Sequence, residues 1–276
     1  MPKLTTILKR IFAKHCDPIT GASEGLPIGF GSVKADGVRL SRYILASRLA
    51  KGMVLDLGSG TCYGSSILRR GGTVKRVVSV DIDEDFIKYG KIVYGIEDCV
   101  VADATSLPFR NQCFDTVVSI ETIEHTNGKA LLDEVRSCLR AGGTLVLSTP
   151  NKLYSSPFVP RPLNPYHMKE YYLGQLLALL QLCGFKPIKI YGGRKVSGLE
   201  LIRRIFGSLL KFMLTKFSIT PYAVDNVYHA LSNLITRRKE KELMVDPSPN
   251  LFMHEELKPH SNITLYQYFI IFAIKF

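Results

Sequence analysis

Two carboxylates and an imidazole stand within five positions at Glu121-Thr-Ile-Glu124-His125, directly after the strand-like run FDTVVSI. Residues of these types at this spacing can do three things. They can hold a metal ion, they can act as an acid–base pair, or they can be the polar end of a strand that faces a bound cofactor. Which of these applies depends on the elements that position them.

From Met53 to Pro150, short apolar runs alternate with helical patterns. MVLDL (53–57), RVVSVD (76–81), CVVAD (99–103), FDTVVSI (114–120) and GTLVLST (143–149) read as strands buried on both faces of a parallel sheet. SSILRR, DEDFIKYGKIVYG and GKALLDEVRSCLR read as the helices between them, the last stopping at Ala141-Gly142-Gly143. Strands alternating with helices give a doubly wound α/β sheet with right-handed crossovers. Ligands bind such sheets at the carboxyl ends of the strands.

That rule places the first strand's Asp56-Leu-Gly58-Ser59-Gly60-Thr-Cys62-Tyr-Gly64 at the ligand. Glycines at 58 and 60 let the chain turn tightly and a ligand approach the backbone. Asp81 ends the second strand, 21 residues beyond Gly60, where a carboxylate takes both hydroxyls of a ribose. Asp103 ends the third, in reach of an exocyclic amine, and Glu121 ends the fourth. A dinucleotide fingerprint needs glycine at position 63, where Tyr63 stands, and Asp56 would repel a pyrophosphate. A carboxylate there suits an ammonium and a sulfonium, the charges of S-adenosyl-L-methionine.

With these residues the chain resembles the class I S-adenosylmethionine-dependent methyltransferases over about residues 38–191. VLDLGSGTCYGS, VVSVDID, VVADATSLPF, FDTVVSIETIEH and LRAGGTLVLSTPN carry the likeness, in that order. Cys62 departs from it, standing where the family usually has a third glycine, and reads as a buried structural thiol. The resemblance implies a seven-stranded, mostly parallel sheet. It also implies that Asp56, Gly58, Ser59 and Gly60 line the methionine part of the cofactor, Asp81 and Ile82 the ribose, and Asp103 and Ala104 the adenine. ETIEH followed by STPN (148–151) and NPYHMKEY (164–171) is similar to the glycan- and lipid-biosynthesis branch and to the ubiquinone-pathway O-methyltransferases. The R-Y-x-x-A run in SRYILASRLAKG (41–52) belongs to the same pattern, and its helix is expected over the cofactor mouth.

A second resemblance is to the methyltransferases of the 3′-terminal 2′-hydroxyl of small RNAs, which hold a divalent metal with E-x-x-E-H and a later histidine. Glu121, Glu124, His125 and His167 fit those residue types, and the first three share a face if the chain turns helical after Ile120. The set would suit Mn²⁺ or Mg²⁺. Against it stand two readings without metal. Glu121 faces the cofactor while Glu124 and His125 cap the next helix, or His125 is a general base whose ring Glu124 orients. The weight lies with these two, so no metal is expected, and His125, Glu124 and His167 are the candidate catalytic residues. For His167 a turn or helix-start role competes.

The 276 residues suffice for one large core with an appended subdomain. The expected organisation is an N-terminal helical cap (1–50), a cofactor-binding core (51–191), a helical insertion or lid (192–263) and a final core strand (264–276) paired with FKPIKIYG (185–192). Six scattered cysteines, with no CxxC pair, read as reduced thiols of a cytoplasmic protein. Net charge is +12, concentrated in the flanks, with residues 1–50 carrying 8 basic and 3 acidic side chains. A basic periphery suits a phospholipid surface, lipid phosphates or nucleic acid, or is a solvated surface. LELIRRIFGSLLKFMLTKF (199–217) is a basic amphipathic helix for a membrane surface, or for packing within the protein or between copies. RRKEKE (237–242) reads as a solvated helix face. No window is apolar enough to span a membrane, and there is no RNA-binding motif with interleaved aromatics. The expected function is O-methylation of a glycan, a lipid-linked sugar or another small or lipid acceptor near the inner membrane face. The alternatives are a metal-dependent RNA 2′-O-methyltransferase and a non-catalytic S-adenosylmethionine-binding regulator.

Overall fold

The computed structural model describes residues 4–15, 33–216, 254–257 and 266–276. Cys16, RRKEKE and most of the expected insertion lie outside the described residues. Strands β1 (Gly52–Leu57), β2 (Val74–Asp81), β3 (Cys99–Val101), β4 (Phe114–Ile120), β5 (Leu139–Pro150), β6 (Phe185–Lys195), β7 (His254–Glu256) and β8 (Tyr266–Lys275) form one sheet. Its order is β3-β2-β1-β4-β5-β8-β6-β7. The five strands β1 to β5 pair in parallel, and β8 runs antiparallel between β5 and β6.

The seven expected strands are therefore all present, in the expected mostly parallel arrangement. An eighth, the three-residue β7, adds to the edge by pairing with Tyr191–Gly193. Strand β6 runs to Lys195, four residues past the expected end of the core at 191.

Helices α1 (Leu4–His15), α2 (Val33–Leu49), α3 (Tyr63–Leu68), α4 (Glu84–Tyr94), α5 (Gly128–Cys138), α6 (Lys152–Ser155), α7 (Leu173–Leu182) and α8 (Gly198–Lys216) complete the described part. Leu131, Leu132, Val135 and Cys138 on one stripe of α5 join Leu55, Leu57, Val117 and Leu145 of the strands in the largest buried cluster. Burying a side chain of that size contributes roughly 1.5–3 kcal/mol. Ala46 and Ala50 of the α2 segment close the opposite face with Val54, Val118 and Val146. Helix α5 ends at Cys138 rather than at the Ala141-Gly-Gly stop. The chain enters β5 at once, and the glycines fall in a bulge, where pairing shifts from Phe114–Leu139 to Thr116–Thr144. Gly142 takes the positive φ, +69°, that this bulge requires.

The basic N-terminal helix spends part of its charge internally. Ile7 and Ile11 pack on Phe86 and Tyr89, while Arg10 and Lys14 pair with Asp85, and Lys14 also with Asp83, at the start of α4. Cations opposite the acidic first turn of a helix are held there by charge pairing, so those side chains are not left for an external anion.

Candidate active site

The carboxyl ends of β1, β2, β3 and β4 open on a cavity of about 620 Å³. Gly58, Ser59, Gly60, Asp81, Ile82, Asp103, Ala104, Glu121 and His125 all line it. Leu57 runs into a turn in which the Gly58 and Ser59 amides donate to the Val80 carbonyl, both at 2.9 Å. Gly58 has φ +71°, and a Cβ there would lie 2.2 Å from Thr122 Oγ1, so the position excludes other residues twice over. Gly60 has φ +53° and nothing within 4 Å of an added Cβ, which leaves an open cradle over the backbone.

Asp81 Oδ2 accepts from the Gly60 amide at 2.7 Å and Oδ1 from Asp83 at 2.9 Å, tying the first two strand ends together. Asp103 accepts from the amide and hydroxyl of Thr105, and those bonds hold its carboxyl below the usual carboxylate range. Asp56 is placed differently from expectation. It is fully buried beneath the loop, outside the cavity lining, and accepts from Ser65 at 2.5 Å and Tyr43 at 3.1 Å. Burial pushes its carboxyl up to about 7, against those two hydrogen bonds. Cys62 sits in the left-handed region at φ +61°, buried, with desolvation raising its thiol to about 12. It is an inert packing thiol, as its place in the loop implied.

The ETIEH segment does not continue as a helix. Glu121 takes φ +53° at the end of β4, and only Ile123–His125 form a single 3₁₀ turn. Glu121 therefore swings to Arg42 of α2, whose guanidinium lies 3.2 Å away and stacks at 3.8 Å on the Tyr268 ring. Backbone in this region of φ is a strain found at functional sites.

Neither Glu124 nor His125 caps the next helix, because Asn127 accepts from Lys129 and Ala130 there. Nor does Glu124 orient His125. Its carboxylate accepts from Thr149 at 2.9 Å, its other oxygen is buried without a partner among the described residues, and its carbonyl accepts from Met168 and Lys169. Burial first, then the charge of Glu121, push the Glu124 carboxyl well above its ordinary value. The group that orients the imidazole is the Tyr166 carbonyl, 2.9 Å from His125 Nδ1. A carbonyl can only accept, so Nδ1 carries a proton, and in the neutral ring the lone pair is on Nε2.

His167 lies in a turn closed by Asn164, and the following helix starts only at Leu173. Its Nδ1 lies 2.7 Å from Glu170 Oε1 and its Nε2 3.0 Å from the Asn164 amide. Burial raises the Glu170 carboxyl, but hydrogen bonds from His167, Ser156 and Ser155 outweigh it and hold it below the usual value. The His125 and His167 rings meet edge to face, centroids 4.9 Å apart. Ligand atoms of Glu124, His125 and His167 lie within 4.8 Å of one another, but Glu121 is not in that group. Of the four residues that the metal alternative would use, three converge.

The R-Y-x-x-A run was expected over the cofactor mouth, and further residues around the site were given no individual role from the sequence. Arg39, Arg42, Tyr43, Thr61 and Tyr63 line the cavity too. The i, i+3 arginines of a helix just before the first strand were a legible signal. Thr61 was not, and its buried hydroxyl has no partner among the described residues. An amino acid joined to a nucleoside fits this arrangement. The cavity offers two arginines, an open glycine cradle, an orphan hydroxyl and the Asp81 and Asp103 carboxylates.

Residues 55–147 match the family described as a methyltransferase domain. A probable S-adenosylmethionine-dependent methyltransferase of Mycolicibacterium smegmatis is 33% identical over 60% of this chain and 65% of its own length. A malonyl-[acyl-carrier protein] O-methyltransferase of Hamiltonella defensa is 32% identical over 42% of this chain and 44% of its own. The chain thus spans less than two thirds of these relatives. A solved S-adenosylmethionine-dependent methyltransferase from Archaeoglobus fulgidus shares the fold, with a TM-score of 0.53, 22% identity, and 89% of this chain and 95% of that one covered. Residues 55–147 thus match a methyltransferase domain, and the chain is similar in sequence and in fold to proteins named as S-adenosylmethionine-dependent methyltransferases, whose cofactor is S-adenosylmethionine.

Proposed function

We propose that the protein methylates an oxygen of a small polar acceptor, a glycan or a lipid-linked sugar, with His125 as the base. The observation that carries this is the Tyr166 carbonyl on His125 Nδ1, which sets the lone pair on Nε2 of a ring at the cavity wall. Bound S-adenosylmethionine supplies an activated methyl group on a sulfonium. Asp81 and Asp103 are the groups for its ribose and adenine, with Ile82 and Ala104 packing beside them. His125 takes the hydroxyl proton as the acceptor oxygen attacks, and positioning provides the remaining rate. Glu124 and His167 are positioning residues. The Glu124 carbonyl anchors the 168–169 backbone, and His167 packs against the His125 ring.

A peripheral membrane contact is supported by α8. Leu199, Ile202, Phe206, Leu209 and Met213 form one exposed stripe, with Phe206 75% exposed. Among the described residues no helix is long and apolar enough to cross a membrane.

The test is methyl transfer from labelled S-adenosylmethionine into a whole lysate, followed by solvent partition, with and without EDTA. Label in the organic or glycan fraction, unaffected by EDTA, is the expected result. Saturable cofactor binding without transfer would leave only the regulator. The convergence of Glu124, His125 and His167 favours one second reading, a metal-dependent RNA 2′-O-methyltransferase. Label in RNA that vanishes with EDTA would establish it.

A further inference from the structure

A second cavity, of about 260 Å³, adjoins the first and shares Arg42 and Glu121 with it. Its wall is mixed, with more polar than apolar surface. Glu170, Asn164, Ser155 and Gln267 offer hydrogen-bond groups, and Arg204 enters from α8. Glu170 is 2% exposed and Arg42 5%. Charged groups buried to that degree must be paired or face a polar occupant. Arg42 has Glu121, and Glu170 has His167 and Ser155. Arg204 differs. Its guanidinium stacks on the Tyr154 ring at 4.3 Å, and no carboxylate pairs with it among the described residues. The neighbouring Glu200 is already held by Arg194 and the Tyr154 hydroxyl.

Ordinary sites for drug-sized ligands run from about 300 to 1,000 Å³, so this cavity takes one sugar-sized ring and not a nucleotide. We infer that the second cavity is the acceptor site, and that it takes a single sugar-like polyhydroxylated ring carrying an anionic group, a carboxylate or a phosphate, bound by Arg204. A guanidinium matches either anion with two parallel hydrogen bonds. The hydroxyls find Gln267, Asn164 and Glu170, and the ring lies beside the Arg42–Glu121 pair, where the two cavities meet. This rests on the proposed methyl transfer, and it names the acceptor's chemistry.

Calorimetric titration of the full chain, held with S-adenosylhomocysteine, tests it with glucuronate, glucose 1-phosphate and neutral glucose as probes. The anionic probes are expected to bind at least tenfold more tightly than glucose. Arg204→Gln is expected to remove that preference while S-adenosylhomocysteine affinity changes less than twofold. Arg203→Gln, at an exposed position on the same helix, controls for helix damage and is expected to change neither. Binding only to vesicles displaying phosphatidylinositol, again lost in Arg204→Gln, would assign the site to a membrane-displayed headgroup and support it equally. Equal binding of glucose, or an Arg204→Gln variant that binds the probes normally, would overturn it. Transfer into lysate that is normal in Arg204→Gln would sink the inference and leave the proposed function standing. Arg204-dependent probe binding without any transfer would do the reverse.

Discussion

His125 Nδ1 meets the carbonyl oxygen of Tyr166 at 2.9 Å, and this contact fixes the tautomer of a ring on the cavity wall. A residue 41 positions away in the chain thus decides which nitrogen of His125 can accept a proton. Replacing His125 with Ala is expected to lower kcat by roughly 10²- to 10⁴-fold, the usual range for a lost general base. KM for S-adenosylmethionine should hardly move. Initial rates at saturating cofactor check this, and an unchanged kcat would remove His125 from the chemistry.

Asp56 makes the apoprotein sensitive to pH. Its carboxyl, ordinarily at 3.8, is raised by burial to about 7 in the fold. Between those values the folded chain holds a proton that the unfolded chain has released. Its contribution to stability is therefore complete below about 4, declines as pH rises, and is gone above about 7. Thermal melts from pH 4 to 8 should show this decline, and Asp56→Asn should flatten it. An identical slope in the variant would refute the assignment.

Glu121 neutralises a guanidinium with almost no access to water. Glu121→Gln leaves Arg42 stacked on Tyr268 without its anion. Leaving a buried charge-assisted bond unmade costs about 1–3 kcal/mol, read as a lower urea midpoint at unchanged slope. Arg42→Lys should lower the midpoint too, because an ammonium cannot reproduce the planar stack on the ring.

Cys62, its thiol raised to about 12, should resist iodoacetamide at pH 8 in the folded protein. Cys99 and Cys113, which are only partly buried, should be alkylated first. Mass spectrometry of the labelled peptides decides the order. Early labelling of Cys62 would mean that the loop opens.

EDTA is expected to leave methyl transfer unchanged within twofold. Glu121 is committed to Arg42, the Asn164 amide lies on His167 Nε2, and the Glu124 carboxyl is driven toward its neutral form. Each would have to change before a cation could be held. Loss of activity with EDTA and recovery with Mn²⁺ would overturn this.

Much of the fold was legible because its signals are local. Val54, Val77, Val117 and Val146 belong to short β-branched runs, and such runs report burial on both faces whatever surrounds them. Gly58, Gly60, Asp81 and Asp103 were legible for the same reason, since a strand's carboxyl end follows from where the strand stops. What the four residues Glu121, Glu124, His125 and His167 do was not legible. Their residue types allowed a shared helix face, and the positive φ at Glu121 undid it by sending its carboxylate to Arg42. Asp56 looked like a cofactor ligand, yet Tyr43 and Ser65 converge on it from two other elements and hold it under the loop. The positions of the strands along the chain and the loop glycines follow from the chain's local chemistry. The tautomer of His125, the raised carboxyl of Glu124 and the pairing of Arg42 depend on atoms that only folding brings together, because desolvation and hydrogen bonding act through space and leave no period in a sequence.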